Sequence, residues 1–189
     1  MPRPVERGLA APTLHGEMIV LRPIGLQDAE AVWEVWSDPE GRRLVGATRT
    51  YSREAVESWI KDAAAAADRV DLAVTANGSD EYLGEISLLH LDPLVRAADI
   101  RLVMRPGLRS RGYGTEAIEL LLGFAFDGLA LHRVGLELLA VNTRARSLYE
   151  NLGFANEGRR RDAHRDGDGW CDGIVMSLLE YEYRARTPG

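Results

Sequence analysis

Apolar residues along the chain change period repeatedly, and each change marks a predicted element. Met18–Pro23 is a short apolar run that predicts a strand, and Gly25-Leu-Gln-Asp28 then leads into a helix with Ala29, Val32, Trp33 and Trp36 at mixed i+3 and i+4 spacing. Ser52 is placed to cap a second helix that runs to the alanines at 63–67, with Val56, Trp59 and Ile60 as its buried stripe. Leu72–Thr75 and Leu83–Leu89 are strand-like and flank Asn77-Gly78, a dipeptide that favours a tight turn. A strand over Ala98–Met104, a helix over Thr115–Leu129, a strand over Val134–Leu139, a helix over Asn142–Asn151 and a last strand over Asp172–Leu179 complete the series. In the Thr115 helix, Ile118, Leu121, Leu122, Ala125 and Leu129 share one face, which must pack on a sheet. Strands and helices alternating in this way predict an α/β domain.

Composition narrows the class. The chain has 189 residues, 46% of them hydrophobic, and no internal Pro/Ser-rich linker, so one domain with a full core is expected. No apolar run approaches the roughly 20 residues that span a bilayer, and Met1–Glu17 lacks a signal peptide's apolar centre. No membrane association and a cytoplasmic location are therefore expected. Cys171 is the one cysteine, which precludes an intramolecular disulfide. A net charge of −6 disfavours nonspecific nucleic-acid binding and suits a cationic amine substrate. The cluster Arg159-Arg160-Arg161 with Arg165 is expected to be a solvated strand face. His15, His90, His132 and His164 have no ligand spacing, and Asp166-Gly-Asp168-Gly-Trp-Cys-Asp172 lacks the full acid set of a calcium loop, so no metal is expected.

Chemistry concentrates at Arg109-Ser110-Arg111-Gly112-Tyr113-Gly114, followed by Thr115 and the apolar helix. Gly112 and Gly114 lack a Cβ, so successive backbone N–H groups can approach a pyrophosphate, and the helix start adds unpaired N–H groups and the positive end of its dipole. Arg109 and Arg111 supply charge at the rim. Gly112-Tyr-Gly114-Thr-Glu-Ala117 also satisfies the dinucleotide pattern G-x-G-x-x-A, with Glu137 as a stand-in for its ribose-binding acid. Against that, six residues from Pro106 to Arg111 separate the strand from the first glycine, and about half the chain precedes the loop.

Arg-x-x-Gly-x-Gly followed by Asn142-Thr-Arg-Ala145-Arg-Ser-Leu148-Tyr149-Glu-Asn-Leu152-Gly153-Phe154 resembles the GNAT superfamily of acyl-CoA-dependent N-acyltransferases. Ile19-Val-Leu-Arg22-Pro23, Asp28-Ala29-Glu30 and Trp36-Ser-Asp38-Pro39-Glu40 resemble its RimJ/RimL-like branch, as do Gly158-x-x-Arg161 and Trp170-x-Asp172 near the end. Arg101 departs from that branch and puts a long cation beside the expected cleft. The resemblance implies an α/β (α+β) single domain with a mostly antiparallel mixed sheet, splayed at a CoA cleft and flanked by about four helices. Its expected bounds are 16–183, with a flexible segment at 1–15 and a tail at 184–189. It implies acetyl-CoA as co-substrate, bound through Val103, Arg109, Ser110, Arg111, Gly112, Tyr113, Gly114, Thr115 and Asn142. A bulge in the strand of Val103 would open the gap for the pantetheine arm. The expected partners are an acyl-CoA and an amine acceptor, with the protein a monomer or homodimer.

Direct acyl transfer needs an uncharged amine, stabilisation of a tetrahedral oxyanion and a proton for the thiolate, so the lack of a nucleophile elbow is no objection. Tyr149 is the candidate acid. Asn142, Arg146 and Tyr149 fall on one stripe of their helix, beside an apolar stripe of Ala145, Leu148 and Leu152. Asp99, ten residues before Arg109, resembles in its offset the glutamate base of histone acetyltransferases, and Glu85 is the rival on the neighbouring strand. A catalytically silent CoA-binding or sensing protein, and an enzyme using a larger donor such as succinyl-CoA, are the alternatives.

Overall fold

The computed structural model describes residues 10–44, 47, 49–108 and 111–186. Eight strands form one sheet: β1 (Leu14–His15), β2 (Ile19–Pro23), β3 (Val70–Ala76), β4 (Tyr82–Asp92), β5 (Ala97–Met104), β6 (Arg133–Leu139), β7 (Ala155–Asp166) and β8 (Gly169–Leu179). Their order across the sheet is β1-β2-β3-β4-β5-β6-β8-β7. Every neighbouring pair is antiparallel except β5 and β6. The helices are α1 (Ala29–Ser37), α2 (Pro39–Leu44), α3 (Arg53–Ala65), α4 (Tyr113–Gly123), α5 (Thr143–Asn151) and α6 (Glu180–Arg186).

The sheet is covered on both faces. On one, Leu72, Val74, Ile86, Leu88 and Ile100 join Ile118, Leu121 and Phe126 of the α4 region in the larger core. On the other, Ala73 and Tyr82 pack with Val32, Val35, Val56 and Ile60 of α1 and α3. Alternation along β3 and β4 thus feeds two cores from opposite sides, which explains their nearly continuous burial.

The one parallel pairing decides where a ligand can enter. β5 and β6 pair over just three rungs, Ala97↔Arg133, Ala98↔Val134 and Asp99↔Gly135. Beyond them β5 stays in register with β4 out to Gly84↔Met104, while β6 stays with β8 out to Leu139↔Gly173. Each strand keeps its outer partner, so the two diverge and leave β5 with an unpaired edge. No bulge in β5 is needed, because Asp99 to Met104 pair with β4 without interruption. The bulge expected near Val103 lies instead on β4, between Leu89 and Asp92, where His90 takes φ +52°.

Four element boundaries differ from the sequence expectation. Residues 14 and 15, expected in a flexible segment, pair with Leu21 and Val20. The helix after Thr115 starts at Tyr113 and changes to π-helical winding over Phe124–Gly128. The solvated strand face expected around Arg159–Arg165 is part of β7, whose full twelve-residue extent carries no apolar alternation because its side chains are almost all exposed. The expected tail at 184–189 begins inside α6, held down where the Tyr183 ring stacks on Phe126 at 4.8 Å. Among the described residues no helix is long and apolar enough to cross a membrane, and no three His, Cys, Asp or Glu side chains are grouped to hold a metal.

Candidate active site

The divergence of β5 and β6 opens a cleft of about 530 Å³. Leu102, Val103 and Met104 of β5 form one wall, Ala145 and Leu148 of α5 another, and Gly112, Gly114 and Thr115 the end at α4. Arg105 N–H donates to the Leu83 carbonyl, so by antiparallel alternation Val103 bonds to β4 and the main-chain groups of Leu102 and Met104 face the gap. Such groups need partners when they are covered, and an amide-bearing chain lying along β5 would supply them.

The cleft ends at a helix start that no side chain caps among the described residues. Gly112 is the N-cap residue of α4 at φ +86°, ψ −20°, a conformation that favours glycine. Its carbonyl accepts from Glu116 N–H at 3.1 Å, so the N–H groups of Tyr113, Gly114 and Thr115 precede the first intrahelical bond. By contrast, Ser52 Oγ caps α3 and Asn142 Oδ1 caps α5. Open N–H groups and the helix dipole make this end of the cleft favourable for an anion. Gly114 is ordinary helix, and its need for glycine is steric: a Cβ there would stand 3.1 Å from Leu102 Cδ2, inside the cleft. Glu116 accepts from the N–H groups of Glu17 and Met18, which ties the β1–β2 turn to this helix end. Arg111 is exposed beside Gly112, and Tyr113 packs on the larger core. Arg109 and Ser110 lie outside the described residues.

Asn142 lines the cleft, yet its polar atoms are engaged in holding it together. Oδ1 accepts from Ala145 N–H at 3.2 Å, and Nδ2 donates to the Leu44 carbonyl at 3.4 Å, joining α5 to the end of α2. Asn142→Ala should therefore lower unfolding free energy by about 1 kcal/mol, the usual worth of an N-cap, as read from urea denaturation.

On α5 the two stripes divide only in part as expected. Asn142 lines the cleft and Leu152 joins the core, but Ala145 and Leu148 pack against the core and also line the cleft, whereas Tyr149 is 6% exposed and packs edge-on against Phe154 at 5.2 Å. Burial pushes the Tyr149 phenol well above its ordinary pKa, so it keeps its proton. Its hydroxyl has no hydrogen-bond partner among the described residues and is not fully occluded. The buried Tyr82 hydroxyl, by comparison, donates to Glu85. A covered tyrosine normally satisfies its hydroxyl, so the bare one on Tyr149 invites a functional explanation.

Neither candidate carboxylate lines the cleft. Glu85 is 1% exposed, with Oε1 accepting from Trp36 Nε1 at 2.9 Å and from Arg101 at 3.2 Å, and Oε2 accepting from Tyr82 at 3.2 Å. Burial raises its pKa, against the pull of Arg101 and of the bonds from Trp36 and Tyr82. Asp99 sits at the last paired rung of β5 and β6, half exposed, 3.0 Å from His90 Nδ1. The sequence cluster at 159–161 is largely neutralised: Arg159 pairs with Asp172 and Arg160 with Glu137.

Several cleft residues escaped the sequence reading. Glu40, Gly41 and Leu44 come from α2, a six-residue helix too short for a periodic signal. Asp38-Pro39 was the usable clue, since Asp38 Oδ2 accepts from Gly41 N–H at 2.6 Å and proline suits a first helical position. A second recess of about 80 Å³ adjoins the cleft, with Gly41 and Val103 lining both and Trp36, Arg42, Tyr51 and Arg101 lining the recess.

Residues 18–155 match the acetyltransferase (GNAT) domain family. The chain is 26% identical over 175 residues to the uncharacterized N-acetyltransferase p20 of Bacillus licheniformis, covering 90% of this chain and 98% of that one. It is 25% identical over 114 residues to the spermidine N(1)-acetyltransferase of Vibrio cholerae, covering 60% and 66%. The fold is shared with the crystal structure of the Vibrio cholerae spermidine N-acetyltransferase in complex with CoA and spermine, at TM-score 0.83 and 19% identity, over 88% of this chain and 98% of that one. With three quarters of its length inside the family match and the splayed sheet to go with it, this chain belongs to the GNAT family of acetyltransferases.

Proposed function

We propose that the protein transfers an acetyl group from acetyl-CoA to a primary amine, either an N-terminal α-amine or the amine of a small molecule, by direct attack. One observation carries this reading: the unpaired edge of β5 runs into the uncapped start of α4 within a single cleft. That combination suits CoA, whose pantetheine amides need main-chain partners and whose pyrophosphate needs N–H donors. The spermidine acetyltransferase of the same fold has CoA in its crystal structure, which supports the assignment.

The uncharged amine attacks the thioester carbonyl, a C–N bond forms, and the C–S bond breaks. The sulfur leaves as thiolate and takes a proton, which Tyr149, buried behind the Ala145 and Leu148 wall of the cleft, is proposed to supply or to share by hydrogen bonding through its unbonded hydroxyl. A thiol is more acidic than a phenol, at reference values of about 8.5 and 10, and burial raises the Tyr149 phenol further, so hydrogen bonding to the thiolate is favoured over full proton transfer. Glu85 and Asp99 remain the two carboxylates proposed for the amine's proton, each acting through water, since neither touches the cleft. An α-amine, with a reference pKa of about 7.7–8.0 against about 10.4 for lysine, needs the least help from them.

The test is release of free thiol from acetyl-CoA and succinyl-CoA across peptides, polyamines and small amines. Saturable release with acetyl-CoA and at least one amine supports the reading. Preference for succinyl-CoA would shift the donor, and CoA binding with no release on any amine would favour a sensing protein.

A further inference from the structure

The recess beside Val103 holds two guanidinium groups with unmet hydrogen-bonding capacity. Arg42 and Arg101 both line it, and in each the Nε is buried without a partner. Arg42 makes no side-chain hydrogen bond or ion pair at all among the described residues. Arg101 has one, from Nη2 to Glu85 at 3.2 Å, and its side chain is still 42% exposed.

Among the described residues these two Nε atoms are the buried side-chain polar atoms left without a partner. Acids outnumber bases 29 to 23, and several other arginines find carboxylates: Arg22 with Asp28, Arg53 with Glu30, Arg69 with Asp71, Arg133 with Glu157. Glu85, the acid paired with Arg101, is already shared among Trp36, Tyr82 and Arg101. A buried guanidinium N–H left without an acceptor is destabilising, and an anion supplied by a ligand would relieve it. Guanidinium donors match a carboxylate in geometry as well as in charge. The recess shares Gly41 and Val103 with the cleft, so a group held there lies next to where the acyl group is expected.

We propose that Arg42 and Arg101 form an anion clamp on the acceptor side, and that the natural acceptor is a primary amine bearing a carboxylate. The proposal rests on the acyltransferase reading and narrows it. It separates this chain from a polyamine acetyltransferase, because two guanidinium groups with unmet donors repel a substrate with several ammonium groups. The carboxylate belongs either to a free amino acid or to an acidic residue at a peptide N-terminus.

The test compares matched acceptors on the CoA-saturated protein by calorimetry and, with acetyl-CoA, by thiol release. The pairs are amino acids with their α-carboxamides, and short peptides beginning with aspartate with those beginning with asparagine; spermidine is the cationic control. One of the two carboxylates should bind better than its amide by on the order of 30-fold, the scale of a buried charge pair. The pair that shows the difference identifies the carboxylate's source. Arg42→Gln and Arg101→Gln should each erase most of that preference by raising KM, with the Kd for CoA within about twofold of wild type. Arg42→Gln guards against misfolding, because Arg42 holds no other side chain by a hydrogen bond or ion pair among the described residues. Equal binding of carboxylate and amide, a preference that survives both variants, or spermidine as the best ligand would overturn the clamp. Absence of turnover on every amine would instead overturn the enzyme reading, since calorimetry reads the clamp without chemistry.

Discussion

Gly112→Val is expected to raise the Kd for CoA by on the order of a hundredfold while the domain still folds. The cause is local. Gly112 holds φ +86°, where a β-branched residue is strained by about 1–3 kcal/mol, and a Cβ there would lie 3.1 Å from Met18 Cε. Relief of that strain rotates the peptide before Tyr113, which re-aims the N–H groups that the uncapped helix start presents to the cleft. Little of the larger core depends on Gly112, which is exposed, so thermal unfolding should move by only a few degrees. A folded Gly112→Val protein with CoA affinity within about threefold of wild type would refute the phosphate-loop assignment. Gly114→Val should weaken CoA by filling the cleft rather than by strain, so Gly114→Ala should be much milder.

Tyr149→Phe should lower kcat by on the order of 10²–10⁴ with CoA affinity unchanged, because it removes a hydroxyl needed as charge develops on sulfur. Stability gives an independent reading. The hydroxyl makes no hydrogen bond among the described residues, so phenylalanine should leave the melting temperature unchanged or slightly higher. A rate loss without a stability loss separates a proton donor from a core tyrosine. An unchanged kcat, with chemistry shown to limit turnover, would leave Tyr149 as packing against Phe154.

Much of the fold was legible because its elements carry strong local signals. Asn77-Gly78 turns where expected, with Gly78 at φ +79°, and Ser52 and Asn142 cap their helices through side-chain oxygens. What escaped was set by neighbours more than by local pattern. β7 has hardly any buried side chain and exists through its pairing with β8. The gap between β5 and β6 follows from which strand each keeps on its outer side, and no residue in Asp99–Met104 announces it. Within the site, glycines and caps could be read from sequence since their roles are in the backbone. The facing of α5 could not: Ala145, Leu148 and Tyr149 are all compatible with core or cleft, and the splay alone decides that Tyr149 turns inward. Arg101 was legible as an anomaly, but its meaning required Arg42, brought beside it by a helix too short to predict.

Hydrogen–deuterium exchange with and without CoA tests most directly whether the splayed strands are the donor site. On saturation, protection should rise at the amides of Leu102 and Met104, at 113–116 and along the start of α5 near 145–148, with β7 unaffected. Unchanged exchange at Leu102 and Met104 in a CoA-saturated protein, or protection confined to residues away from the cleft, would contradict the account.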